Sequence, residues 1–272
     1  MGRFDIREQI LNLDPERDYE EIYRLMVFHE FPWDLRTAGK TMIWHLYAAP
    51  STAAVVGSTD ALVTRSEETS LVFGDLIEYG LDSPQGRATL RMINHAHRGW
   101  PIGVEDHRYA LAALAVTAVR WLDRCGWRAP TPTERSAIAR FYAALGERMG
   151  VPGLPRDYDR LAAYLADCER DRIAFSEEGR LCSDRTLELA RARTPWPLTA
   201  LVGPAIAALL APAVRTATGV PEPGRLIRWA VAALLWTRPR VVRLLPPRRR
   251  PTTPRTRRKL PPAQVQPRKA HR

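Results

Sequence analysis

The 272-residue chain contains 45% apolar and 26% charged residues, which is enough to bury the core of a globular protein. Its formal net charge of +11 originates at the C-terminal end. Residues 238–272 hold thirteen lysines or arginines and no acidic residue, whereas the other 237 residues hold 28 basic and 30 acidic ones. The near-neutral body argues against a folded nucleic-acid-binding surface.

The cysteines and the N-terminus exclude further classes of protein. Three widely spaced cysteines (Cys125, Cys168 and Cys182), without a CxxC pair, argue against a disulfide framework and against a zinc or iron–sulfur site. The charged N-terminus lacks the apolar core of a signal peptide. We therefore expect a cytoplasmic protein, with peripheral membrane association as the alternative.

The first half of the chain predicts helix after helix. Apolar spacing predicts helices over 18–30 and 33–56, the second broken at Pro50. A helix over 67–79 ends at Gly80, and the next begins at Pro84 with Ser83 as its N-cap and runs to His97. In the helix over 18–30 the residues expected to face inward are Ile22, Leu25 and Met26; in the helix over 67–79 they are Leu71, Leu76 and Ile77.

The second half continues the pattern, and its first helix, over 105–125, is so apolar that we expect it to be the central buried one. Thr131 and Glu134 form a capping box that opens a helix to about Met149. Helices follow over 157–170, 187–214 and 224–235. Because residues 196–214 contain three prolines, they predict buried helices rather than a membrane span.

Strand alternation is absent, so the sequence predicts an all-α fold with one helical domain over residues 1–245. Residues 246–272 are rich in proline and arginine and have little to bury, so we expect a disordered tail. Such a tail binds polyanions such as nucleic acid or anionic lipid, or acts only as a solubilising extension.

Candidate functional side chains collect around one predicted helical hairpin. Helices over 67–79 and 84–97 are joined by a short turn, so Thr69 and His97 both lie roughly 16–20 Å from that turn, at the same open end. Arg65 and Glu68 share one helical face with Thr69 if the helix extends to them. One end of the hairpin thus gathers a guanidinium, a carboxylate, a hydroxyl and an imidazole.

An ordered series of motifs surrounds this constellation: Phe31-Pro-Trp33, Tyr47-Ala-Ala-Pro50-Ser51, Arg65-x-x-Glu68-Thr69, Asp82-Ser83-x-x-Gly86-Arg87, Asn94-His95-Ala-His97 and Ile102-x-x-Glu105-Asp106-x-x-Tyr109. Over about residues 30–170 this series resembles the MpaB-like oxygenase family, whose distant relatives include the rubber oxygenases (latex-clearing protein).

The resemblance implies an all-α bundle that encloses a haem pocket, holds haem b with its iron, and uses dioxygen on an apolar, unsaturated small molecule. By position, His97 matches the metal ligand, and Arg65 and Thr69 match cofactor-binding and catalytic residues on the opposite face. Glu68, the third candidate catalytic residue, stands where rubber oxygenases have lysine. A carboxylate at that position is expected to accept a proton or to hold Arg65.

The remaining histidines and tryptophans have plainer interpretations. His95 and His97 point about 200° apart on a helix, so only one can face the iron; the resemblance favours His97, and we expect His95 to face solvent. His107 is expected to pair with Glu105 or Asp106 at a helix start. His29 and His45 are expected to be core or surface residues, while Trp100, Trp121 and Trp127 either line the cofactor pocket or belong to the core.

Two other functions stay open on the sequence alone. A non-haem metal oxygenase would combine one histidine with a carboxylate from Glu68, Glu105 or Asp106. A non-catalytic helical protein would instead bind nucleic acid or anionic membrane through residues 246–272. No specific protein partner is implied.

Overall fold

The computed structural model describes residues 4–57, 72–245 and 251–252, and within them the regular structure is helical, without strands. The helices are α1 (Asp5–Leu11), α2 (Tyr19–Leu25), α3 (Pro32–Ala48), α4 (Pro50–Gly57), α5 (72–79), α6 (Pro84–Arg98), α7 (Val104–Cys125), α8 (Pro132–Arg148), α9 (Tyr158–Arg172), α10 (Glu177–Ala192), α11 (Thr199–Leu209), α12 (Pro212–Ala217) and α13 (Arg225–Leu244). A π-helical turn, Met26–Glu30, follows α2. The predicted all-α, single-domain fold is confirmed.

Helix α7 is the centre of the bundle, as its apolar sequence predicts. It packs against α3, α8 and α9, and half of its 22 residues are buried, among them Tyr109, Val116 and Leu122. A helix of that length spans about 33 Å. Side chains at its two ends, such as His107 and Trp121, therefore serve different regions of the molecule.

Several predicted helix boundaries are confirmed by the hydrogen bonds that produce them. Ser83 Oγ accepts the backbone N–H of Gly86 at 2.8 Å and caps α6. At the start of α8, Thr131 Oγ1 accepts the N–H of Glu134 at 3.3 Å, and Glu134 Oε2 accepts the N–H of Thr131 at 2.7 Å. These reciprocal bonds satisfy two N–H groups that have no partner inside the helix. Helix α3 stops before Pro50, as predicted.

The inward-facing residues of the early helices are also as predicted. Ile22 and Leu25 of α2 and Met26, which begins the π-helical turn, are buried, and α2 packs against α8. Leu76 and Ile77 of α5 are buried as well. Leu71 lies outside the described residues.

Helices α1 and α10 differ from the sequence-based prediction. Helix α1 was not predicted, because its seven residues bury only Ile6 and Ile10. Helix α10 begins at Glu177 rather than near 187, capped by Ser176 Oγ, which accepts the N–H of Gly179 at 3.1 Å. Its first half buries small residues only, so it shows little apolar periodicity.

The prediction that the last helix ends at 235 is wrong, since α13 continues through Pro239 to Leu244. A tertiary contact holds the helix beyond that point. The Arg238 guanidinium donates to both carboxylate oxygens of the buried Asp34, at 2.8 and 3.1 Å, and stacks 3.8 Å from the ring centre of Trp33. This contact joins α13 to α3 and compensates for the proline.

The expectation of buried helices over 196–214 is only partly correct. Helix α11 buries the small residues Gly203 and Ala207, whereas Trp196, Leu198 and Leu201 are 88%, 55% and 47% exposed. Among the described helices, none combines the length and apolar character needed to cross a bilayer. Residues 246–250 and 253–272, which make up most of the predicted tail, lie outside the described part of the chain.

Candidate functional site

The candidate site is built at the corner where α6 ends and α7 begins. His97 is half-buried in the last turn of α6. One turn earlier, Asn94 Nδ2 donates to the backbone carbonyl of Arg148 at 3.0 Å and ties α6 to the end of α8. The Arg148 guanidinium also bonds to the carboxylate of Asp82, just before α6, and this bond lowers the pKa of Asp82. Helix α6 is thus anchored at its start and near its end, which fixes the position of His97.

A second imidazole lies beside His97. The rings of His97 and His107 meet edge to face, with centroids 4.8 Å apart and planes at 80°. His107 Nδ1 donates to the Gly103 carbonyl at 3.0 Å, because a carbonyl only accepts. Its Nε2 is buried and, within the described part of the chain, has no hydrogen-bond partner. In the neutral ring this nitrogen carries the lone pair.

This pairing corrects the prediction for His107, which does not bond to Glu105 or Asp106. Its partners are the Gly103 carbonyl and the His97 ring. The sequence feature that could have predicted this contact is the short connection between α6 and α7. Such a connection places the end of one helix beside the start of the next. His95, by contrast, is exposed, as predicted.

The two carboxylates that follow Gly103 bond to other side chains. Asp106 Oδ1 accepts from Ser51 Oγ at 2.9 Å and from Arg172 Nη1 at 3.1 Å. Glu105 forms ion pairs with Arg108 and Arg172. Within the described residues, no group of three histidine, cysteine or acidic side chains is arranged to hold a metal ion. These arginine partners argue against the non-haem alternative for Glu105 and Asp106.

The other candidate residues cannot be compared with the prediction. Arg65, Glu68 and Thr69 lie outside the described residues. Helix α5 ends before Gly80, as predicted, and Gly80 adopts a positive φ of 83°. That the three side chains meet His97 at the open end of the hairpin stays a prediction.

Two of the tryptophans belong to the core and not to this corner. Trp121 is buried and donates through Nε1 to Asp34 at 3.2 Å, and Trp127 Nε1 donates to the Glu30 carbonyl at 3.0 Å. Trp121 lies about 21 Å along α7 from His107, at 1.5 Å per residue. It therefore cannot line a pocket at His97.

An open cleft of about 400 Å³ lies between α8 and the start of α9, lined by Ser136, Arg140, Pro155, Arg156, Asp157 and Arg160. Two of its arginines are paired with carboxylates, Arg140 with Glu16 and Arg156 with Glu147. Its polar lining makes it a poor match for an apolar substrate.

A separate polar cluster, buried at His45 and Tyr109 and open to solvent at Arg120, joins α3, α7 and α9. His45, which is 6% exposed, places Nδ1 3.8 Å from Glu169 Oε1, and Glu169 in turn accepts from Arg120 at 2.8 Å. Tyr109 donates to the His45 carbonyl at 3.2 Å. Burial lowers the pKa of His45 to about 4, although Glu169 acts in the opposite direction. His45 is therefore neutral at pH 7, and the prediction that it is a core or surface residue is resolved in favour of the core.

This depressed pKa predicts a loss of stability in acid. As pH falls from the ordinary histidine pKa of 6.5 toward 4, the unfolded chain takes up a proton at His45 that the folded chain does not. The free energy of unfolding contributed by this group should therefore decrease over that window, by roughly 3 kcal/mol in total. Urea denaturation at pH 7 and pH 4.5 should show a smaller acid-induced loss in His45→Gln than in the wild type. Equal losses would contradict the assignment.

Comparison with known proteins is consistent with the motifs at this corner. A family model described as "ER-bound oxygenase mpaB/B'/Rubber oxygenase, catalytic domain" matches residues 39–243. The ER-bound oxygenase mpaB of Penicillium brevicompactum is 24% identical over 158 residues, which are 54% of this chain and 40% of that protein.

Two further relatives give the same result. The ER-bound oxygenase mpaB' of Penicillium brevicompactum is 24% identical, and the ER-bound oxygenase mpaB of Penicillium roqueforti (strain FM164) is 23% identical, again over 158 residues. The matched segment spans 37% and 53% of these two proteins.

Proposed function

Because the chain belongs to the family of the mpaB and mpaB' oxygenases and rubber oxygenase, matched over residues 39–243, we propose that it is a haem-b-dependent oxygenase. Its substrates are dioxygen and an apolar, unsaturated small molecule. The observation that carries the proposal is the His97 imidazole, half-buried at the fixed corner between α6 and α7 and placed edge to face with a second imidazole.

The donors at this corner fit a haem. Histidine is the usual proximal ligand of haem iron, and a helix anchored at its start and near its end gives that ligand a defined position. The buried Nε2 of His107 lacks a partner among the described residues. It can donate to an acceptor when the ring is protonated and accept when the ring is neutral. Because a buried polar atom normally has a hydrogen-bond partner, this nitrogen is consistent with a bound cofactor that supplies a polar group.

The roles of the protein groups follow from this placement. Haem supplies the redox chemistry that activates dioxygen, and the protein supplies binding, orientation and electrostatics. His97 would hold the iron, and Asn94, bonded to the Arg148 carbonyl at 3.0 Å, keeps the end of α6 in place. His107 stays oriented through its bond to Gly103.

We propose that Arg65 and Thr69 would supply hydrogen bonds to dioxygen. Glu68 accepts a proton or holds the Arg65 guanidinium in position. These assignments are supported by the spacing of the three residues and by the family to which the chain belongs.

The absorption spectrum tests this proposal. The wild-type protein, titrated with haem, should develop a Soret band with a defined affinity. His97→Ala should weaken haem binding about 100-fold or more, because it removes the iron ligand itself rather than a supporting group. His95→Ala is the matched control: it alters a histidine in the same helix that is exposed, and it should bind haem as the wild type does.

Three outcomes would contradict the proposal. If a well-folded wild type develops no Soret band, haem is not its cofactor. If His97→Ala and the wild type bind haem with equal affinity, His97 is not the iron ligand. Loss of the band in His107→Ala but not in His97→Ala would transfer the ligand role to the second imidazole.

A further inference from the structure

Helix α13 has an unusually apolar outer face. Leu226, Trp229, Leu234, Trp236 and Leu244 are exposed by 85%, 78%, 64%, 60% and 87%. Of its 20 residues only Leu235 is buried. Such a concentration of exposed large apolar side chains on one helix points to a site of interaction rather than to ordinary solvent exposure.

The helix is held to the body in one orientation. Arg238 is bonded to the buried Asp34, and Arg243 Nε donates to the Trp127 carbonyl at 2.6 Å. Leu235 is buried where α13 packs against α7 and α11. The inner face of α13 therefore contacts the body of the protein, and the apolar side chains named above point outward.

The neighbouring helix adds to this surface. Helix α11 packs against α13, and Trp196, Leu198 and Leu201 at its N-terminal end are 88%, 55% and 47% exposed. Among the described residues, three of the most exposed large apolar side chains, Trp196, Leu226 and Leu244, thus belong to this pair of helices and the residues flanking them.

The charge around the apolar face is mainly basic. Glu222 pairs with Arg228 at 2.5 Å, and no acidic residue follows it in the sequence, whereas Arg225 and Arg240 are exposed on α13 and residues 246–272 add ten more lysines or arginines. The Arg240 guanidinium lies 3.3 Å from the ring centre of Trp236. Leucine and tryptophan beside arginine are the composition of helices that lie in the interface of an anionic bilayer.

We propose that the outer face of α13 docks the protein onto an anionic lipid bilayer. Leu226, Trp229 and Leu244 enter the headgroup region, and Arg225 and Arg240 contact lipid phosphates. A second copy of the chain fits this face less well, since two such surfaces would bring their arginines together. Nucleic acid would match the charge but leave the leucines and tryptophans in water.

Vesicle co-sedimentation of the full chain tests the proposal. Vesicles of phosphatidylcholine with phosphatidylserine should bind the protein, and vesicles of phosphatidylcholine alone should bind it weakly. Leu226→Ser combined with Trp229→Ser should lower partitioning onto anionic vesicles at least about tenfold, because two large apolar side chains no longer leave water. Leu181→Ser, at a 45% exposed leucine of α10, is the matched control and should bind like the wild type.

Each alternative outcome overturns the proposal. If the double variant and the wild type bind anionic vesicles equally, the basic residues after 245 act alone. If neither binds vesicles but the wild type self-associates and the double variant does not, the occupant is a second copy. Equal binding of an oligonucleotide by both, without vesicle binding, would assign the basic end to nucleic acid. Haem content is measured in parallel, so a failure here is distinguishable from a failure of the proposed oxygenase function.

Discussion

Replacing Arg128 by methionine is expected to lower the free energy of unfolding by about 3–5 kcal/mol, as is usual when one partner of a buried ion pair is removed. The Arg128 guanidinium lies between two carboxylates, bonding to Glu30 Oε2 at 2.6 Å and to Glu134 Oε1 at 2.7 Å. The side chains of Arg128, Glu30 and Glu134 are only 10%, 5% and 0% exposed. Without the guanidinium, two acidic groups would share a buried site with no cation.

The same guanidinium lies over two aromatic rings, 4.7 Å from the ring centre of Phe31 and 5.4 Å from that of Trp127. Methionine can replace the apolar part of these contacts but not the charge, so the loss measured is mainly electrostatic. Because Glu134 also accepts the capping bond at the start of α8, the variant should loosen that helix start as well.

Arg135→Met is the control for this experiment. Arg135 pairs with Asp123, and the two side chains are 28% and 38% exposed, so its loss should cost no more than about 1 kcal/mol. Both variants would be measured by urea denaturation at pH 7. Similar losses in the two variants would show that burial does not distinguish the pairs. Adding Glu30→Gln and Glu134→Gln to Arg128→Met should restore part of the lost stability, because the unpaired charges are then removed.

The Arg128 cluster shows which parts of the fold a sequence reveals and which it does not. The capping box of Thr131 and Glu134 was predictable, since its two residues are three positions apart. The bond between Arg128 and Glu30 joins residues 98 positions apart, so no local sequence pattern predicts it. The extension of α13 past Pro239 is similar, because it depends on Asp34, which is 204 positions from Arg238.

The candidate site likewise contains features that local sequence predicts and features that depend on tertiary contacts. His97 was proposed as the iron ligand from an ordered series of motifs, and that role stays a prediction. The exposure of His95 was expected because helical geometry places the two rings about 200° apart and the resemblance favours His97. The contact between His97 and His107 was missed, because it depends on how the chain turns between α6 and α7. The local acidic neighbours of His107 suggested a different pairing. Arg65, Glu68 and Thr69 remain predictions that rest on spacing and family membership.

Replacing Gly86 by alanine is expected to destabilise the protein by about 3 kcal/mol, as overpacking of a closely packed site does, and to weaken haem binding through the proposed site. A Cβ at position 86 would overlap the backbone carbonyl oxygen of Gly80 and lie 3.0 Å from that of Leu81. Backbone atoms cannot move aside as a flexible side chain can. Leu81 is also held by its own N–H, which donates to Glu20 Oε2 at 3.0 Å, so the first turn of α6 would have to shift instead.

That shift matters because Gly86 and His97 lie on the same helix. At 1.5 Å per residue they are about 16 Å apart, so a small rotation at the start of α6 displaces the His97 ring at its end. Gly99→Ala is the matched control, since it makes the same change just beyond the other end of α6, at a negative φ and with no neighbouring heavy atom within 4 Å of the new Cβ. Urea denaturation and a haem titration would be measured on both variants. If Gly86→Ala proved as stable as Gly99→Ala, the close packing of this turn would not be what positions α6. A destabilised Gly86→Ala variant with unchanged haem affinity would instead show that this turn contributes to stability but does not position the cofactor site.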